Sequence, residues 1–241
     1  MNRAYRDSVR PQGDEVRFQA VVEETDLLLV AERDLQAEVV AFVAEVRGTI
    51  KSWLLVQPEF GESLTPVAVP DSAPEILRRM ASAAEVCGVG PMAAVAGAVA
   101  QAVGERFAPE SPNLLVENGG DVYLHSTRER VAALLAEPES GAMLGVVLPP
   151  DAFPVALCAS SSTIGHSLSL GAGDLVAVRA KDARLADAAA THLCNLLKGR
   201  SHMDRVVDEA KRLAELGVEG VFAQLDADVM AWGDMELTAL V

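Results

Sequence analysis

Apolar segments of strand and helix length are separated along the chain by clusters of glycine, proline and polar residues. Residues 15–31, EVRFQAVVEETDLLLVA, predict two β-strands around a polar break at Glu23–Asp26. From Glu32 to about Leu55, apolar residues recur at spacings of three and four, which predicts an amphipathic helix. Three prolines and a glycine between residues 58 and 70 then predict a loop.

The rest of the chain predicts further helices and strands in an irregular order. Capping patterns predict three helices, which begin after a Ser72–Glu75 capping box, at Pro91 and after Asp182. A last helix is predicted over residues 201–216. The predicted strands are 113–117, 121–125, 144–148, 155–159, 174–180 and 218–229. Because strands and helices do not alternate steadily, the pattern favours an α+β fold over a doubly wound parallel sheet.

The length of the chain limits the number of domains, and its net charge limits the classes of binding partner. A chain of 241 residues suits one domain over residues 1–241, and Ala-rich helices in both parts suggest two pseudo-repeated halves. The formal net charge of −15 would repel nucleic acid and anionic membrane surfaces, so neither is expected as a partner. An anionic small ligand would therefore need a local source of positive charge or N–H donors, such as a metal ion or a helix N-terminus.

Other features bear on compartment and assembly. Three scattered cysteines without a CxxC pair, and a polar N-terminus without an apolar core, make the cytoplasm the expected location. Nineteen uncharged residues separate Glu85 from Glu105, but most are Ala and Gly, which favours a buried helix over a membrane span. Apolar, Ala-rich helix surfaces are compatible with a homodimer.

The corner Gly88-Val89-Gly90-Pro91 precedes the Ala-rich helix. Free N–H groups at a helix start can receive a phosphate, and glycine lets a ligand come near, so Gly88 and Gly90 are candidate phosphate contacts. The alternative is a corner between helices that needs glycine for its turn.

Asn118-Gly119-Gly120 joins two predicted strands and predicts a tight turn, since Asn and Gly tolerate positive φ. The segment Glu117–Asp121 gathers carboxylate and amide groups around this turn. They could bind a ribose, a heterocycle or a hydrated metal, which makes Asn118, Gly119, Gly120 and Asp121 candidate binding residues. Alternatively, Asn and Asp only support the turn.

Asp187 and Thr191 lie four residues apart with only alanines between them. This spacing places both side chains on one helical face. Mg²⁺ takes hard oxygen ligands, often one carboxylate together with phosphate oxygens of a bound molecule. The pair is therefore a candidate magnesium half-site, and the alternative is a polar pair that faces solvent.

Residues 158–174, CASSSTIGHSLSLGAGD, concentrate hydroxyl groups and one imidazole between two predicted strands. Ser160, Ser161, Ser162 and Thr163 could donate hydrogen bonds to a phosphate without adding negative charge, and the last three are candidate phosphate contacts. His166 is the candidate for proton transfer. A serine hydrolase is a competing hypothesis, but the chain has no G-x-S-x-G elbow.

Together these segments resemble the ApbE-like flavin transferases, which move FMN from FAD onto a protein Thr or Ser. Residues 113–124, NLLVENGGDVYL, resemble that family's NiGGD segment, and residues 183–193, ARLADAAATHL, resemble its ADALsTAL helix. His166 falls where the family has a His in its HIIDP segment. The runs 88–98 and 160–171 are similar to those of a further branch of the superfamily.

The resemblance implies an α+β fold of two T-fold-like halves, with antiparallel sheets and packed helices. It implies that Asp187 and Thr191 bind Mg²⁺ beside the pyrophosphate of FAD or a related flavin nucleotide. The flavin transferases have a GGigKG-like run where this chain has GVGPMAAVAG, without lysine, and the DP-x-x-G that follows their His is absent. A non-catalytic protein that keeps the ligand pocket is therefore the second hypothesis.

Overall fold

The computed structural model describes Arg6 and residues 9–135, 143–161 and 173–240. These residues form eleven strands and six helices, joined in places by short 3₁₀ turns. The strands are β1 (Val16–Val22), β2 (Thr25–Ala31), β3 (Leu114–Asn118), β4 (Asp121–His125), β5 (Arg130–Leu135), β6 (Met143–Leu148), β7 (Val155–Ser160), β8 (Leu175–Ala180), β9 (Val218–Leu225), β10 (Asp228–Gly233) and β11 (Leu237–Leu240). The helices are α1 (Gln36–Val56), α2 (Glu59–Glu62), α3 (Glu75–Cys87), α4 (Val95–Phe107), α5 (Ala183–Leu196) and α6 (Met203–Ala214).

Eight strands form one central antiparallel sheet in the order β1-β2-β3-β4-β7-β8-β9-β10. In each half of this sheet, two strands precede a group of helices and two strands follow it. The first group contains α1 to α4, and the second contains α5 and α6. The predicted α+β fold with antiparallel sheets and packed helices is confirmed.

The central sheet separates two cores because side chains of successive strand residues point to opposite faces. Val116 and Tyr123 pack in the larger core with the helices. Their neighbours Leu115 and Leu124 belong to the smaller core, which includes side chains from β5 and β6. A second sheet, in the order β11-β6-β5, therefore covers the face opposite the helices.

Several predicted elements differ from the structure in extent. Residues 218–229 form a hairpin rather than one strand, because Asp226, at φ 53°, turns the chain between β9 and β10. The short strands β5 and β11 were not predicted, since their Ala- and Leu-rich sequences carry little strand preference and both pair with β6.

The two predicted helix caps have opposite outcomes. The Ser72–Glu75 capping box is wrong: α3 begins after Pro74 and has no side-chain cap. A residue before proline is disfavoured in the α region, which excludes Ala73 from the helix. The cap at Asp182 is confirmed, since its side chain accepts hydrogen bonds from the N–H groups of Arg184 and Leu185.

Among the helices of the described residues, none alone has the length and apolar content to cross a membrane. Glu75–Cys87 and Pro91–Phe107 reach that length and composition only as a pair, across a bend of 106°.

Candidate functional site

Two predicted site segments meet where α4 begins. Asp187, on α5, accepts a hydrogen bond through Oδ2 from the N–H of Gly97, at 2.8 Å. Asn118, at the end of β3, donates from Nδ2 to the carbonyl oxygen of Ala96, at 3.1 Å. The first turn of α4 therefore connects the β3–β4 turn to the Asp187 face of α5.

Gly97 permits this close approach of α4 to α5. A Cβ atom at this position would lie 2.2 Å from the carbonyl oxygen of Ala183 and 3.0 Å from Cβ of Asp187. The first distance is too short for any side chain, and the second is a tight contact. The hydrogen bond between Gly97 and Asp187 thus depends on the absence of a side chain at residue 97.

The β3–β4 connection is the tight turn that the sequence predicts. Gly119 and Gly120 have φ angles of 69° and 112°, which glycine adopts without strain. The N–H of Gly120 donates to Oε1 of Glu117 at 2.9 Å, and Asp121 accepts through Oδ1 from the N–H of Ala159 at 3.1 Å. The turn is therefore held by carboxylates on both sides.

Asp121 and Asp187 form a desolvated carboxyl pair. Burial raises the pKa of Asp121 to about 7, and the negative charge of Glu117 also raises it, against hydrogen bonds from Ala159 and Cys158. Asp187 is half-buried, yet the protein packed around its carboxyl group raises its pKa well above the ordinary value. The charge of Asp121 raises that pKa further, and the N–H groups of Gly97 and Ala96 oppose the rise.

This carboxyl pair suits a bound cation. Within the described ranges, no Lys, Arg or His lowers the pKa of either carboxyl group. Thr191 is buried one turn beyond Asp187, so its hydroxyl adds an oxygen to the same helical face. The described part of the chain has no group of three or more His, Cys, Asp or Glu side chains placed to hold a metal. The residues therefore fit Mg²⁺ that takes its remaining oxygens from a bound molecule and water.

Asp187 also has a structural role that needs no ligand. Its carboxylate receives N–H groups from the first turn of α4, as a helix-capping side chain does. Capping explains one of its oxygens. It does not explain why the charge of Asp121 lies close enough to raise the pKa of Asp187.

The structure gives the glycine corner a role in packing. Gly88, with φ 67°, ends α3, and the N–H of Val89 donates to the carbonyl oxygen of Ala84 as in a helix C-cap. A Cβ at Gly90 would lie 1.9 Å from the carbonyl oxygen of Ser63. Both glycines thus serve the corner between helices, and their phosphate contact stays a prediction.

The serine-rich segment is described only in part. Ser161 is buried directly after β7. Ser162, Thr163 and His166 lie outside the described residues, so their predicted roles stay predictions.

The predicted site residues of this region omit Gly97, Glu117 and Cys158, whereas Ser160 was among the predicted hydroxyl donors. Cys158 and Ser160 share the face of β7 that points to α5, and burial together with the charges of Asp121 and Asp187 raises the pKa of Cys158. The Ser160 hydroxyl is buried and has no hydrogen-bond partner in the described part of the chain. The spacing of two residues in the strand segment CASS indicates that Cys158 and Ser160 share one face. The roles of Gly97 and Glu117 depend on contacts with residues distant in sequence, which no local pattern indicates.

The raised pKa of Asp121 predicts how stability depends on pH. The carboxyl group of an unfolded Asp has a pKa of about 3.9, so the folded state binds the proton of Asp121 more tightly than the unfolded state does. The stability that protonated Asp121 contributes therefore falls as the pH rises toward about 7. In EDTA, we therefore compare the free energy of unfolding of Asp121→Asn with that of the wild type. The difference should grow in favour of the variant by about 1 kcal/mol or more from pH 5 to pH 8. Urea unfolding of both proteins at the two pH values measures this gain.

Asp71→Asn is the control, because residue 71 is exposed. The difference in free energy of unfolding between this variant and the wild type should be the same at both pH values. An Asp121→Asn difference that is equally independent of pH would contradict the desolvated carboxyl pair.

Comparisons with known proteins agree with this fold. A family model described as AbpE bacteria matches residues 7–229. The UPF0280 protein of Archaeoglobus fulgidus is 35% identical over 223 residues, covering 91% of this chain and 92% of that protein. The UPF0280 protein of Methanocaldococcus jannaschii is 34% identical over 207 residues, covering 84% of each.

Solved structures resemble the chain over nearly its whole length. The Pseudomonas stutzeri flavinyl transferase ApbE, in its apo form, has a TM-score of 0.57 at 11% identity, covering 91% of this chain and 94% of that one. The flavin transferase ApbE of Vibrio cholerae has a TM-score of 0.54 at 13% identity, covering 92% and 98%. At such identities, the likeness shows a shared fold.

Proposed function

The chain belongs to the family described as AbpE bacteria, within the ApbE-like superfamily, and from this premise we propose that it binds a flavin nucleotide, FAD first among candidates, together with Mg²⁺. The observation that carries the proposal is the desolvated carboxyl pair, Asp121 and Asp187, at the N-terminus of α4. A cation relieves the repulsion between these groups, and the flavin transferases of the same fold supply the ligand class.

Each residue around the pair has a defined part in this proposal. Asp187 and Thr191 hold Mg²⁺, which supplies charge neutralisation at the pyrophosphate oxygens. Asn118, Gly119 and Gly120 present the β3–β4 turn to the nucleoside or flavin, beside Asp121. Ser161, Ser162 and Thr163 contact phosphate, and so do Gly88 and Gly90 through their backbone. His166 moves a proton if the protein is a transferase.

A transferase would break the pyrophosphate of FAD, pass FMN to a hydroxyl acceptor and release AMP. A second candidate is a protein that binds the flavin nucleotide without chemistry. The run from Gly88 to Gly97 favours it, because that run has no lysine and its Pro91 and Ala94 are buried. Chromatography for AMP after incubation with FAD and Mg²⁺ distinguishes the two. The homodimer and the cytoplasmic location stay predictions.

Thermal unfolding tests binding itself. FAD and Mg²⁺ at about a hundred times the dissociation constant should stabilise the protein by about 2.7 kcal/mol. FAD with EDTA should stabilise it far less. An unfolding midpoint unchanged by either addition would reject the proposal.

Ser160 provides a further test. Its hydroxyl is buried without a partner among the described residues, on the face of β7 that points to α5. We expect it to hydrogen-bond the bound molecule or its water. Ser160→Ala should leave the ligand-free stability unchanged or slightly higher, and weaken FAD binding about fivefold, the value of one hydrogen bond.

Ser111→Ala is the matched control. The buried Ser111 hydroxyl accepts from the N–H of Glu32 and donates to the carbonyl oxygen of Asn113, so its loss should lower stability but not FAD affinity. If Ser160→Ala also lowered stability and left affinity unchanged, the hydroxyl would serve the fold alone.

A further inference from the structure

We infer that Arg6 is a positioning residue that orders the ligand-binding turn 118–121 through Glu117. This inference rests on the proposed function. It makes Arg6, which carried no predicted role, part of the support of the binding site.

Arg6 is anchored in the protein by two acidic residues. Its NH2 atom lies 2.6 Å from Oε2 of Glu117, and the exposed fractions of the two side chains are only 7% and 3%. Its NH1 atom contacts Oδ1 of Asp26 at 2.9 Å, and NH2 donates to the carbonyl oxygen of Asp26 at 2.7 Å. The guanidinium thus connects the start of β2 with the end of β3.

Glu117 transmits this anchoring to the turn. While Oε2 contacts Arg6, Oε1 accepts the N–H of Gly120 at 2.9 Å. Gly120 has a φ of 112° and lies between Asn118 and Asp121, so its orientation sets where these two side chains lie. One buried carboxylate therefore holds Arg6 and the turn together.

The charges around the turn explain why a cation is needed. Glu117 and Asp121 lie four residues apart in one hairpin, and Asp187 adds a third carboxyl group across from them. A carboxylate buried without a cation is strongly unfavourable. Loss of Arg6 would remove this ion-pair contact from the buried Glu117 carboxylate, so the side chain could reorient and its hydrogen bond to Gly120 would weaken.

Flavin titrations on four variants test this inference. Arg6→Ala should weaken FAD binding in Mg²⁺ about tenfold or more. Arg6→Lys keeps a positive charge and should recover part of that loss. Glu117→Gln keeps an acceptor for Gly120 but needs no cation, so adding Arg6→Ala to it should weaken binding less than about threefold.

Arg130→Ala is the matched control. The Arg130–Glu15 ion pair is buried to a similar degree, with exposed fractions of 13% and 1%, and also anchors the segment before β1. Its loss should lower stability without changing FAD affinity. An equal loss of affinity in Arg6→Ala and Arg130→Ala would overturn the inference, as would an undiminished effect of Arg6→Ala in the Glu117→Gln background.

Amide hydrogen exchange separates this inference from the proposed function. In the ligand-free protein, Arg6→Ala should speed exchange at Gly120 about tenfold or more and leave exchange at Val178, between β7 and β9 in the central sheet, unchanged. If the wild type does not bind FAD, the proposed function fails while faster exchange at Gly120 still supports the positioning role. Unchanged exchange at Gly120 overturns that role.

Discussion

Gly97→Ala should destabilise the protein by about 3 kcal/mol and weaken its Mg²⁺-dependent flavin binding. The added methyl group would lie 2.2 Å from the carbonyl oxygen of Ala183, so α4 and α5 must separate. Their separation lengthens the hydrogen bond from Gly97 to Asp187 and displaces Asn118, which is bound to Ala96 in the same turn. Urea unfolding measures the first effect and flavin titration the second.

Gly48→Ala provides the matched control for this substitution. Gly48 is exposed within α1, and a Cβ there would meet no atom within 4 Å. Alanine should therefore stabilise the helix by up to about 1 kcal/mol. If Gly97→Ala were as stable as Gly48→Ala, the close packing of α4 on α5 would be wrong.

Asp187→Asn should lower FAD affinity in Mg²⁺ by about a hundredfold, to the level that the wild type shows in EDTA. The amide oxygen can still accept the N–H of Gly97, so the cap on α4 remains. Removing the charge beside Asp121 also removes a repulsion, and the ligand-free variant should be as stable as the wild type or more so. This combination of intact stability and lost affinity is specific to a cation-binding role.

Asp182→Asn supplies the comparison on the same helix. Asp182 caps the N-terminus of α5 and contacts Arg184, and its charge is not among the causes that shift the pKa of Asp121 or Asp187. The FAD affinity of Asp182→Asn should depend on Mg²⁺ as strongly as that of the wild type. An Asp187→Asn variant that behaved like Asp182→Asn would leave Asp187 only its capping role.

Local sequence patterns predicted the parts of the site that depend on neighbours in the chain. The Asn-Gly-Gly signal located the β3–β4 turn, although β3 extends to Asn118 itself. The four-residue spacing placed Asp187 and Thr191 on one face of α5, which the structure confirms as a helix. These features follow from backbone geometry over a few residues, so the sequence alone determines them.

Contacts distant in sequence determined the rest. The bond between Gly97 and Asp187 spans 90 residues, and no local pattern in AVAGAVA indicates it. Arg6 and Glu117 likewise meet only after β3 enters the central sheet. Strand β5 forms because β6 is available beside it, which tertiary pairing decides rather than local preference.

Titration of the wild-type protein with FAD, first in Mg²⁺ and then in EDTA, tests the central claim most directly. Flavin fluorescence reports the affinity in each condition. The carboxyl pair predicts binding in Mg²⁺ that EDTA weakens by about a hundredfold or more. Equal affinity in both conditions would contradict the metal site at Asp187, and no binding in either would contradict the flavin ligand.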